Sequence, residues 1–376
     1  MNISESRSYF PYLKTGKIYM NHAAISPLSK PVVDALQSYI YTRSETEIEN
    51  YFSFQRIVVD TKNKLAQMIN TTSDRIAFAD NTSNALNILA QSIDWKSGDR
   101  IILNDIEFPS NIYPFLNLKS YGVEIDFIKS HDGQVSFEDI EKALTPKTRL
   151  VSISHVQFLS GYKTDIEKIG QLCRQKGVIF CVDSIQALGA MREDVEKMSI
   201  DFLAAGTQKW LMSMQGLSVF YVRKELQEKL QPKFVGWTSV KDAWNLLDYD
   251  LTLREGADSF QNGTVCSIGI AALHATLDLM LSFGFDEIEK TILDNSEYFI
   301  ERLSDIGLNP ILKGIERKYL SGIVSFKSEK AQEIFDELEK RNIVAAVREG
   351  VVRFSPHYYN NHEEIDKVVM TLKEII

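Results

Sequence analysis

The sequence predicts an α/β protein, with a large domain built on a mostly parallel sheet and a smaller α+β C-terminal domain. Short apolar runs alternate with amphipathic stretches over most of the chain, as strands alternating with helices do. The pattern changes after Gly263, where long helical stretches precede short isolated strands. At 376 residues the chain exceeds what a single core usually holds. We therefore expect a large domain over residues 20–260 and a small one from residues 1–19 and 261–376, the boundary falling within Ser259–Ser267.

Taken in order, Arg100–Asn104 (RIILN), Val123–Ile128 (VEIDFI) and Arg149–His155 (RLVSISH) read as strands. An amphipathic stretch near Asp165–Lys176 reads as a helix. Val178–Asp183 (VIFCVD), Asp201–Ala205 (DFLAA) and Leu217–Val222 (LSVFYV) are the next strands. Beyond Gly263, Ile268–Ser282 and Asp286–Ile306 read as helices. Gly322–Phe326 and Val351–Phe354 read as strands, and Glu363–Ile375 as a closing helix.

Composition narrows the function classes. The net charge of -9 argues against a nucleic-acid surface, which would need clustered Lys and Arg. No basic start followed by an apolar segment marks a secretory signal, and no apolar run is long enough to span a bilayer. The expected setting is cytoplasmic, with no membrane partner. Cys173, Cys181 and Cys266 are sparse and lack CxxC spacing, which fits reduced thiols and no structural metal site.

The chemistry concentrates in DFLAAGTQKWLMSMQGLSVFYV, residues 201–222. Lys209 follows a strand and sits between a Gly-containing turn and an apolar stretch. Burial lowers a lysine pKa and frees its amine to attack a carbonyl; a solvated loop lysine is the plain alternative. Asp183 ends the strand VIFCVD at the carboxyl edge of the sheet, where open α/β sheets bind ligands. A carboxylate there can pair with a protonated pyridine nitrogen, as pyridoxal 5′-phosphate (PLP) requires, or simply cap a helix.

An ordered series of segments then runs along nearly the whole chain: YMNHAAISPL, NTSNALN, EFPSNIYPF, SHVQFLSG, VDSIQALG, AAGTQKWL, FQNGT, and VRFSPHYYN with HEEID after it. From Asn21 to Asn360 the chain resembles the class V aminotransferase family, the branch with cysteine desulfurases, isopenicillin N epimerase-like proteins and kynureninase. The resemblance implies the PLP-dependent transferase fold type I, a homodimer with its active site at the interface, and an imine between PLP and Lys209. It implies that Thr82, Ser83 and Asn84 hold the phosphate at a helix N-terminus, though an ordinary Ser/Thr cap would look the same. Gln208 replaces a phosphate-binding histidine and can still donate a hydrogen bond. Thr264 matches the threonine that reaches the neighbouring subunit's phosphate. Phe108 falls where relatives stack a ring on the cofactor; from its own segment alone the favoured reading is a core aromatic. Gln186 matches the residue that hydrogen-bonds the cofactor's phenolic oxygen. Arg353 matches the arginine that grips the substrate α-carboxylate, against the alternative of a surface arginine at a strand end. His22 and Ala23 match a segment lining the substrate pocket. His155 ends a strand beside the site and reads equally well as a satisfied structural histidine.

The departures from the family pattern are specific. Phe335–Val352 contains no cysteine, so the desulfurase route through an enzyme thiolate lacks its nucleophile. Phe108 stands for histidine, Phe158 for asparagine, Ser259 for arginine and Gly206 for serine. The expected activity is amino-group transfer between an amino acid and a keto acid. A C–S lyase without a catalytic cysteine ranks second, an epimerase third, and a catalytically silent scaffold is the non-enzyme alternative. No GxGxxG follows an early strand, which disfavours a nicotinamide enzyme.

Overall fold

The computed structural model describes residues 3–376, so the first two residues of the expected 1–19 segment lie outside the described residues. The strands are β1 (Ile18–Tyr19), β2 (Ile76–Ala79), β3 (Arg100–Asn104), β4 (Glu124–Ile128), β5 (Thr148–Ser154) and β6 (Ile179–Asp183). They continue with β7 (Phe202–Gly206), β8 (Ser218–Val222), β9 (Val324–Lys327), β10 (Ile343–Val344), β11 (Ala346–Arg348) and β12 (Val351–Phe354). Seven form one sheet in the order β2-β8-β7-β6-β5-β3-β4. Strands β4, β3, β5, β6 and β7 are parallel neighbours, while β8 runs antiparallel to both β7 and β2. Two reversals restore direction, so β2 ends at the same edge of the sheet as β6 and β7.

Side chains alternate across a strand, and here both faces are apolar, as a helix-covered parallel sheet requires. Val151, Ile153, Phe180, Val182, Leu203 and Ala205 enter one buried cluster. Leu150, Cys181, Phe202 and Ala204 enter another on the opposite face. Helix Thr82–Ser92 covers that second face with Ala85, Leu86 and Leu89. Helix Ser267–Phe283 buries Ile270, Leu273, Leu277 and Met280 against helices Lys30–Tyr41 and Tyr51–Ile69. No single described helix is long and apolar enough to cross a membrane.

The C-terminal part has its own core. Strands β11, β12 and β9 form a three-stranded sheet. Phe299, Leu303, Val352, Phe354, Ile365 and Leu372 pack there together with Ile18 and Met20 from the start of the chain. Parallel pairing of β1 with β10 carries those early residues in. The elements read from sequence lie within one or two residues of those observed. Sequence reasoning did not anticipate β2, a four-residue edge strand (IAFA) with no alternating pattern to mark it.

Candidate active site

Several strand ends of the sheet converge on one place. Strand β6 ends in Asp183, β7 ends in Gly206 three residues before Lys209, and helix Thr82–Ser92 starts just past β2. Asp183 is 1% exposed and Lys209 8%, so neither is a solvated surface group.

The loop carrying Lys209 is tied down by hydrogen bonds and packing. The Thr207 hydroxyl donates to the Met214 carbonyl at 2.7 Å, and Met212 N–H donates to the Lys209 carbonyl at 3.0 Å. Trp210 is wholly buried. Its indole N–H donates to Gln186 Oε1 at 2.8 Å, and its ring lies against Gly322 so closely that a side chain there would collide with it. Gly189, at φ 101°, lies equally close to the Trp210 carbonyl. With Trp210 locked into the core, its neighbour Lys209 is directed into the site.

Burial dominates the electrostatics. It pushes the Lys209 ammonium down from its ordinary pKa; the negative charge of Asp183 opposes that shift, and Arg353 and Arg348 add to it. Burial pushes the Asp183 carboxyl up, against a hydrogen bond from Ile185 N–H at 3.0 Å, and the nearby Glu107 charge pushes the same way as burial. Burial thus leaves the Asp183 charge poorly answered in the protein alone, and a cationic ring nitrogen would answer it.

Of the twelve buried side-chain atoms without a partner among the described residues, three belong to residues that meet Gly206 or act on the Lys209 charge: Thr82 Oγ1, Asp183 Oδ2 and Arg353 Nε. Buried polar atoms are normally satisfied, so orphans gathered at one site point to a ligand. Their chemistry matches PLP with an amino acid on it. A hydroxyl donor suits a phosphate, a carboxylate suits a pyridinium, and a guanidinium suits an α-carboxylate. Gly206 leaves the phosphate end open, because a Cβ there would lie 2.6 Å from Gln208 Oε1 and 3.2 Å from Thr82 Oγ1. Thr82 and Gln208 thus meet where the family serine is missing. The cofactor fits the residues present.

Phe108 is 40% exposed, which rules out the core-aromatic reading. Its ring centre lies 5.5 Å from Lys209 Nζ, and its other neighbour is Phe158, packed edge-on at 5.3 Å. Arg353 is buried, not a surface residue; its Nη1 donates to the Phe158 carbonyl at 2.6 Å.

Other expected residues sit differently. Asn84 N–H is taken by the Asn81 side chain, which caps the helix at 2.9 Å, and the Asn84 amide donates to Asp80 at 2.7 Å. The Ser83 hydroxyl donates to Ser110 Oγ at 3.0 Å, in the turn that follows Phe108. Gln186 is engaged at both ends, accepting from Trp210 and donating to the Ala23 carbonyl at 3.0 Å. Ala23 is buried, its N–H held by Ser355 Oγ at 2.9 Å.

His22 does not line a pocket. It is fully buried, with Nδ1 2.8 Å from the Ser355 carbonyl and Nε2 2.9 Å from the Tyr359 hydroxyl. Burial takes its pKa down to about 4, so it is a neutral strut tying the N-terminal segment to the C-terminal part. His155 is likewise buried, with Nδ1 2.7 Å from Glu193 Oε1. Thr264 is exposed and lines an open cavity of about 660 Å³ bordered by Asp80, Asn84, Phe234 and Cys266.

Two residues escaped the sequence reading. Glu107 is a buried carboxylate that accepts from Ser154 N–H at 2.7 Å, from the Asn111 and Gln157 amides at 3.1 Å each, and from Asn104 and the Ser154 hydroxyl. The signal was its place beside Phe108, just past the end of β3. Arg348 shares a hairpin with Arg353, and the strand period would have placed the two on one face.

The family model for aminotransferase class-V matches residues 18–368. An uncharacterized aminotransferase, YcbU of Bacillus subtilis, is 29% identical over 359 residues, covering 96% of this chain and 94% of that protein. A probable cysteine desulfurase of Methanothermobacter thermautotrophicus is 28% identical, covering 100% of this chain and 98% of that protein. Among solved structures, the apo cysteine desulfurase of Thermococcus onnurineus NA1 superposes with a TM-score of 0.90 at 26% identity, over 100% of this chain and 98% of the other. The cystine C–S lyase C-DES, solved with its product cysteine persulfide, superposes with a TM-score of 0.88 at 24% identity, over 97% and 99%, and shares the fold. This chain belongs to the aminotransferase class-V family and is a PLP-dependent enzyme of fold type I acting on amino acids.

Proposed function

We propose that the reaction is transamination, carried out by a cytoplasmic homodimer. The observation that carries the reading is the trio of orphaned buried atoms around Lys209: Thr82 Oγ1, Asp183 Oδ2 and Arg353 Nε. Thr82 and Gln208 would hold the phosphate. Asp183 Oδ2 would keep the proton on the ring nitrogen, and Phe108 would lie against the ring. Bound PLP supplies the electron sink that makes loss of the Cα proton feasible. Arg353 fixes the substrate carboxylate and so orients the Cα–H bond toward Lys209. The Lys209 amine, left unprotonated at lower pH by burial, would accept that proton from the substrate Cα and hold it within the site. Thr264, exposed on its own protomer, reaches the phosphate held by a second copy. Three unpaired cysteines support a reducing compartment.

A desulfurase route is disfavoured by local geometry. Strands β11 and β12 are joined by Glu349 and Gly350 alone, both at positive φ (49° and 74°) in the manner of a tight hairpin turn. Such a turn offers no mobile loop to carry a thiolate. Cys173 and Cys181 are buried, and burial pushes their thiols up, Cys173 to about 12. A lyase without an enzyme thiol is the second reading, supported by the likeness in fold to the C–S lyase.

The test is a panel of amino acids given to the holoenzyme. Transamination predicts one equivalent of keto acid with loss of the yellow colour, restored by adding a keto acid. Pyruvate with sulfide, and colour retained, would replace this reading with a lyase. Racemised substrate without keto acid would replace it with an epimerase.

A further inference from the structure

Two guanidiniums share one face of the β11–β12 ribbon. Ala346 lies directly opposite Arg353, and Arg348 lies opposite Val351. Opposed residues share a face, and so do residues two apart on one strand, which places Arg348 and Arg353 as diagonal neighbours. Diagonal Cα atoms lie roughly 7–8 Å apart, within reach of long side chains. Like charges so placed repel. Yet among the described residues neither arginine forms an ion pair, in a chain of net charge -9 where Arg7, Arg100, Arg223, Arg302 and Arg317 all do. Their hydrogen bonds run to carbonyls: Arg348 Nη1 to Val347 at 2.7 Å and Arg353 Nη1 to Phe158 at 2.6 Å. The same face is turned toward the catalytic lysine. Arg353 and Ser325, opposite it on β9, bond to the carbonyls of Phe158 and Leu159; Phe158 packs on Phe108, and Phe108 faces Lys209. Both arginines lower the basicity of Lys209, after the larger effect of burial, so both charges are felt in the site. Arg353 is buried and Arg348 is exposed at the rim, which separates an inner anion position from an outer one.

We propose that Arg353 and Arg348 form a two-anion receptor, so that the substrate is an amino or keto acid with a second carboxylate on its side chain, held by Arg348. The proposal rests on the reading of Arg353 as the α-carboxylate anchor and adds the substrate class to it. A chain of four or five carbons in all, both terminal carboxylates included, suits the diagonal spacing. Arg348 acts as the specificity determinant, since a neutral side chain would leave its charge unanswered.

The test is calorimetric binding of unreactive acids to the holoenzyme. Four- and five-carbon dicarboxylates are expected to bind at least tenfold more tightly than monocarboxylates of the same length. Arg348→Gln should bring the dicarboxylates down to the monocarboxylate level, whereas Arg353→Gln should weaken both classes. Equal affinity for the two classes in the wild type, or a dicarboxylate preference that survives Arg348→Gln, overturns the proposal. Binding is read without turnover, so the amino-acid panel can fail for transamination while this receptor stands, and the reverse.

Discussion

Arg353 offers the sharpest separation between a structural and a functional role. Arg353→Gln removes the guanidinium and keeps a polar side chain of similar reach. With the substrate carboxylate held by two charge-assisted hydrogen bonds of roughly 1.5–3 kcal/mol each, the loss is about 3–6 kcal/mol. At about 1.4 kcal/mol per tenfold, kcat/KM falls about 10²- to 10⁴-fold. The folded protein loses less. The one hydrogen bond given up, to the Phe158 carbonyl, also has a charged donor and is worth roughly 1.5–3 kcal/mol. Against it stands the relief of a buried cation whose pKa burial has lowered and which no carboxylate neutralises. Thermal unfolding should therefore move by only about 2–4 °C. The assay is steady-state kinetics on the variant beside a melting curve, with an amine lacking the α-carboxylate as control substrate. The control should lose nothing. A kcat/KM within about threefold of wild type, or an activity loss that tracks a melting point lowered by more than about 10 °C, would refute the reasoning.

Thr82→Val should weaken PLP binding roughly 10- to 100-fold in a cofactor titration, because a phosphate hydrogen bond is lost. The cofactor-free protein should melt no lower, since the Thr82 hydroxyl has no partner to lose. Asp183 sets a pH dependence of known sign. Its folded pKa lies above the unfolded value of 3.8, so its contribution is fully present below that value and is lost as pH rises through the folded pKa. Cofactor-free wild type should thus gain stability relative to Asp183→Asn as pH falls from neutral, by at most about 1.4 kcal/mol per pH unit; chemical denaturation at several pH values reads the slope, and an opposite slope contradicts the shift. His22→Ala should cost about 2–4 kcal/mol, as the Ser355 carbonyl and Tyr359 hydroxyl lose buried partners. The folded variant should keep the cofactor's absorbance, and a changed spectrum would return His22 to the pocket.

The strands were legible because each carries a run of apolar residues bounded by polar turns. The sheet buries both faces, so Val151 and Leu150 are equally apolar although they serve opposite clusters. Lys209 and Asp183 stood out as ionisable residues at the ends of such runs. The edge strand β2 did not, because four residues paired on one side leave too short a pattern. His22 was misread for a physical reason: its partners Ser355 and Tyr359 lie 333 and 337 residues away, and only the folded chain brings them to it. The segment around Asn84 shows the complementary limit. A Thr-Ser-Asn run at a helix start can bind an anion or cap itself, and here Asn81 takes the Asn84 N–H. The choice between them depends on atoms, not residue types.

The proposed function depends on a covalent bond between the Lys209 amine and the PLP aldehyde. Reduction of the yellow holoenzyme with borohydride, followed by peptide mass mapping, tests it most directly. One stable phosphopyridoxyl group per chain is expected, on the peptide containing Lys209 and absent from Lys209→Ala. A label on another lysine, or no label on a protein that has taken up PLP, would contradict it.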